Sequence, residues 1–136
     1  MGRLADTYAN NMLDVAFSKG TNNMPATLYF GLSTTTPTNT GTNVTEPSGG
    51  SYARVTVTNN ATNFPAATGR SKSNGTVIVF NTATGAWGTV THWVAYDAVT
   101  AGNFVAWGAL TASINITSGT QASFAIGALV INAPGT

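Results

Sequence analysis

The stretch whose reading decides the fold is residues 87–110, WGTVTHWVAYDAVTAGNFVAWGAL, which holds all three tryptophans and the one histidine. Val90, His92, Val94 and Tyr96 alternate with Thr91, Trp93, Ala95 and Asp97, the period of two that gives a strand two unlike faces. Residues 98–103 carry a Gly102-Asn103 pair suited to a turn with positive φ. The return segment 104–110 sets Phe104, Ala106, Gly108 and Leu110 on one face and Val105, Trp107 and Ala109 on the other. So aromatic a hairpin, in a chain with so little charge, predicts the centre of a β-sandwich.

Working outward, 136 residues suit a single domain spanning 1–136 with a real core. Only 7% of them are charged, against about 25% in an ordinary soluble domain. Thr, Ser, Asn and Gly fill the polar share. A net charge of +1 offers no basic footprint for nucleic acid and no polybasic patch for anionic lipid, so neither partner is expected. With no cysteine, disulfides and thiolate metal sites are excluded. No apolar run approaches the ~20 residues of a membrane helix, and no signal peptide opens the chain. A surface of small neutral polar groups neither repels copies of itself nor needs much desolvation when covered.

One helix is expected, at 4–19, with Leu4, Ala5, Tyr8, Ala9, Met12, Leu13, Ala16 and Phe17 forming an apolar face. Asp6 in its first turn and Lys19 in its last suit the helix dipole, and Gly20 is placed to take the left-handed position beyond its end. Strand patterns follow at 26–33, 52–58, 76–80, 112–117, 121–126 and 128–131, with Gly127 as a break and 133–136 as a tail. Two stretches, 34–50 and 59–75, lack periodicity and read as long polar surface loops. The count is one helix and about eight strands, an antiparallel sandwich of jelly-roll type.

Catalytic chemistry finds little to work with. His92 stands alone on a mostly apolar strand face and reads as a packing residue. Asp6, Asp14, Glu46 and Asp97 form no local pair. Asp97 closes its strand and suits a turn carboxylate bonding nearby amides, and Arg54 is expected with its head in water or paired to Glu46 or Asp97. No phosphate loop or dinucleotide fingerprint is present. No enzyme activity, cofactor or metal is therefore expected. A carbohydrate platform of Trp87, Trp93, Tyr96 and Trp107 competes, but alternation puts Trp93 and Tyr96 on opposite faces, which favours a core role.

The same segments carry a resemblance. They are LADTYANNMLDVAF in the helix, LYFGLSTTTP at 28–37, GGSYARVTV at 49–57, GAWGTVTHWVAYDA at 85–98, GNFVAWGAL at 102–110 and SGTQASFAIGALVI at 118–131. In that order they resemble small bacteriophage and prophage virion proteins, often labelled tail-fibre or head-decoration proteins. The resemblance implies a non-enzymatic structural protein of the virion, made in the host bacterial cytoplasm. Its length, without a fibrous repeat, is more similar to a capsid cement protein than to a whole fibre. That role implies the major capsid protein as partner, a place on the capsid exterior and self-association as a dimer or trimer; a tail or fibre adaptor is the alternative. The helix and the two long loops would make the contacts, through Tyr8, Met12, Asn39, Val44, Glu46, Phe64, Arg70 and Lys72.

Overall fold

The computed structural model describes residues 2–133. Of the expected tail 133–136, residues 134–136 lie outside the described residues. The chain runs β1 (Gly2–Leu4), α1 (Asp6–Ser18), β2 (Thr27–Ser33), β3 (Val55–Thr58), β4 (Ser71–Ser73), β5 (Ile78–Thr82), β6 (Gly88–Tyr96), β7 (Phe104–Ile116), β8 (Gln121–Phe124) and β9 (Val130–Asn132). Seven strands form one sheet in the order β3-β2-β6-β7-β1-β9-β4, and β5 pairs with β8 in a second. The architecture is all-β with one N-terminal helix, as the patterning predicts. It is mixed rather than wholly antiparallel, because β1 runs parallel to β9 with Gly2 opposite Ile131.

The hairpin β6–β7 is central and longer than residues 87–110. The segments expected at 104–110 and 112–117 are one strand, β7, although its pairing with β6 steps from Ala109 to Ile114 and skips 110–113. Register shifts interrupt the β6–β7 ladder between Val90 and His92 and between Ala95 and Tyr96. A bulge reverses the facing of residues beyond it. Val90 therefore shares the core with Trp93 and Ala95, although strict alternation groups it with His92. Val105, the extra residue between the Ala95–Ala106 and Tyr96–Phe104 pairs, turns into the core as well.

Phe30 is the fully buried pivot of that core, with the rings of Phe64 and Trp93 each 6.0 Å away. Burying such a side chain contributes about 1.5–3 kcal/mol. Trp93 can lie across β1 and β7 only because residues 2 and 108 are glycines; a Cβ at 108 would stand 2.6 Å from the indole Nε1. Asn74, also buried, donates to the carbonyls of Thr76 and Ala125 and accepts from the Leu129 amide at 2.9 Å. One side chain thus ties the turn before β9 to the start of β5.

The two long loops are more structured than their composition suggests. In 34–50 the buried Ser33 hydroxyl donates to the Thr35 carbonyl and accepts from the Thr45 amide, which folds the loop back on itself. Within 59–75, Asn60 Oδ1 caps the amides of Thr62 and Asn63, Phe64 enters the core, and β4 forms. The helix also differs at its ends. Leu4 belongs to β1, and the left-handed residue is Lys19 (φ 55°), not Gly20, whose amide instead donates to the Asp14 carbonyl. Lys19 is therefore the C-cap, and no basic residue occupies the last turn.

Candidate interaction surface

The helix begins without a side-chain cap, because Ala5 occupies that position. Its first turn is fixed by the sheet instead. The Ala5 amide donates to the Val105 carbonyl at 2.8 Å, and the Asp6 amide donates to the Asn39 carbonyl at 3.1 Å. Tyr8, 7% exposed, is the one buried residue of α1, and its hydroxyl reaches Asp97 Oδ2 at 3.5 Å. Burial, then the neighbouring Asp97 charge, raises the Tyr8 pKa and keeps the donor protonated. Asn11 ties the far side down through the Thr21 carbonyl at 3.0 Å.

Beyond Tyr8 the helix leaves the body. Met12 and Val15 look toward the sheet across a groove of about 660 Å³ floored by Leu28, Ala95 and Ala106. Its far wall carries Phe64, Arg70 and Lys72. On the helix's outer flank, Leu13 is 57% and Phe17 87% exposed, one turn apart, with Asp14 beside them. The apolar face expected at 4–19 is therefore split: one part roofs the groove, and a ridge of Leu13 and Phe17 points into solvent.

Of the eight expected contact residues, Met12, Phe64, Arg70 and Lys72 meet at this groove. Arg70 occupies a tight turn at φ 64°, and Lys72 extends from β4 to donate to the Pro65 carbonyl at 2.7 Å. Tyr8 lies at the helix root. Asn39, Val44 and Glu46 are elsewhere, on the loop covering the opposite face of the sheet. Asn39 accepts from Trp107 Nε1 at 3.1 Å, and Val44 is half-buried. Glu46 is held by Arg54 at 2.6 Å and by the Tyr52 hydroxyl at 2.7 Å, a closed network rather than a free contact. Val15 and the sheet floor are additions that residue type alone does not mark, since Val15 lies off the predicted face.

The opposite face answers the chemical questions. Gly31 lets the Glu46 carboxylate approach the sheet; a Cβ there would stand 2.5 Å from Oε1. Tyr52 is pushed well above the ordinary phenol range by burial and then by the Glu46 charge. Burial opposes the charge on Arg54, yet its hydrogen bonds to Glu46 hold its pKa above the usual value. His92 sits beside the Trp107 ring with Nδ1 2.7 Å from the Thr91 hydroxyl, and burial lowers its pKa. Trp87 and Trp93 are core residues, 4% and 2% exposed, so they cannot serve an aromatic platform. Among the described residues no group of three or more His, Cys, Asp or Glu could hold a metal ion, and no helix is long and apolar enough to cross a membrane.

Comparison with known proteins gives one result. Residues 3–132 match the family described as Podophage GP4 fiber I protein gp80, a span that takes in the helix and, but for Gly2 of β1, every described strand. No curated protein matches the chain.

Proposed function

The chain belongs to the Podophage GP4 fiber I protein gp80 family, and from that premise we propose that it is a non-enzymatic subunit of a fibre, or of the adaptor that attaches one, on a phage virion. A virion structural protein is what the family itself indicates; the fibre position is our reading. The observation that carries it is the extent of the match, from Arg3 in β1 to Asn132 in β9, which includes the helix with its exposed ridge. A part that works only in an assembly can leave apolar surface open on the isolated chain, because neighbours cover it. Low charge suits the same task, since subunits stacked side by side repel little.

A second reading, capsid decoration with the major capsid protein as partner, is favoured by one observation. The described body folds back on itself, with its first strand beside its last, and forms no elongated shaft. Purified virions distinguish the two. Copy number relative to the major capsid protein, with gold labelling for position, is expected to give few copies confined to the tail or to fibre bases. Hundreds of copies spread over the head would replace the fibre reading with decoration. Absence from virions would sink both.

A further inference from the structure

We propose that the Leu13–Phe17 ridge of α1 docks into the groove beneath the helix of a second copy of this chain, so that the protein works as a closed oligomer. The helix itself supplies the first argument. It has 13 residues, no side-chain N-cap and several modest helix formers, including Thr7, Asn10, Asn11, Val15 and Phe17. A helix of this length is marginal in water without packing of its apolar side. Its first turn has that packing, but its last two turns do not, and Phe17 is the most exposed large apolar residue described.

The ridge and groove also fit one another chemically. Asp14 flanks the ridge, whereas the groove is lined by Arg70 and Lys72 and by no carboxylate among the described residues. Inserting the ridge into the same chain's groove is impossible, since the helix bearing it forms the groove's roof. A second copy brings both surfaces at once. Leu13 and Phe17 expose on the order of 300 Å² of apolar surface, taking full side chains at roughly 150–250 Å². Because every copy carries ridge and groove, two copies that exchange ridges about a two-fold axis close as a dimer, with both surfaces of each copy in one interface. The inference holds for a fibre subunit and for a decoration protein alike.

The full chain in solution tests it by analytical ultracentrifugation. Wild type is expected to sediment as an oligomer at micromolar concentration, with Phe17→Asp weakening association at least about 100-fold. Phe17 touches little in its own chain, so the variant should keep its β-sheet circular dichroism while losing helical signal as it dissociates. Val99→Asp, a comparable change on an exposed turn residue away from the helix, should leave the oligomer intact. Asp14→Lys should weaken association, and Asp14→Lys with Lys72→Asp in the same chain should restore it. A wild type that stays monomeric up to about 100 µM overturns the proposal. So does an oligomer that Phe17→Asp leaves unchanged, because the contact then lies elsewhere.

Discussion

Arg54 clamps Glu46 with both ends of its guanidinium, Nε to Oε1 at 3.1 Å and Nη2 to Oε2 at 2.6 Å, while Nη1 donates to the carbonyls of Ala98 and Ala101. One side chain thereby joins the loop 34–50 to the β6–β7 turn, with the Tyr96 ring 3.6 Å from its carbon centre. The pair is largely withdrawn from water, at 8% and 21% side-chain exposure.

Removing one partner of such a pair leaves a buried charge without compensation, which costs about 3–5 kcal/mol. Arg54→Ala is expected to lose stability in that range in urea denaturation. Arg54→Lys should recover only part of it, because an ammonium cannot reproduce the fork. Glu46→Gln with Arg54→Met should cost less than the two single changes combined. Additive losses would show that the residues do not act as a unit.

Asp97 governs a second, pH-dependent contribution. Burial raises its pKa, but this is outweighed by hydrogen bonds from the Asn103 side chain and amide and from Tyr8, and the net pKa lies below the ordinary carboxylate value. A depressed folded-state pKa gives stability that is present above the unfolded value of about 3.9 and is lost as pH falls through the folded one. Asp97→Ala should therefore lower the melting temperature at pH 7 and differ progressively less from wild type below about pH 4. A gap between the two that stays constant down to pH 2 would remove Asp97 from the account.

The tryptophans make a spectroscopic prediction. Trp87 donates to the Gly50 carbonyl at 2.8 Å in a buried setting, Trp93 lies in the core, and Trp107 is half-buried beneath Arg3. Iodide should quench mainly the Trp107 fraction of the fluorescence, and Trp107→Phe should abolish most of the quenchable emission. Quenching that survives this change would mean that Trp87 or Trp93 is reachable from solvent, and would reopen an aromatic binding platform.

What could be read without coordinates was whatever repeats locally. Alternation marks β2 and the hairpin, Gly127 marks a break that the structure places at φ 79°, and of the settings open to Arg54 (water, Glu46 or Asp97) the structure selects Glu46. The three-residue strands β1 and β4 have no period to read, and their partners across the sheet define them, whereas β9 overlaps the strand expected at 128–131. The bulges beside Thr91 and Val105 shift side chains in ways that alternation cannot anticipate. Met12, Phe64, Arg70 and Lys72 were found by residue type in a helix and a loop, but their meeting in one groove depends on β4 pairing with β9. Glu46 and Asn39 suited a contact role by residue type alone, and the structure commits both to internal hydrogen bonds.

The position of β1 bears on the order of assembly in time. During synthesis Gly2–Leu4 emerges long before Val130–Asn132, yet β9, and β4 beyond it, reach the main sheet only through β1. The earliest strand waits for β7, its partner across about a hundred residues, and the latest strand then adds to it, non-local pairings of the kind that slow folding. Arg3→Pro, placed opposite Trp107 in the middle of the sheet, would remove a ladder donor there. Hydrogen exchange should then show β9 and β4 unprotected while β2, β3 and β6 stay slow. Persistent protection of β9 would mean that it closes without β1. The wall holding Lys72 sits at the end of that chain of pairings, so the same exchange experiment is expected to show the groove among the last parts of the molecule to form.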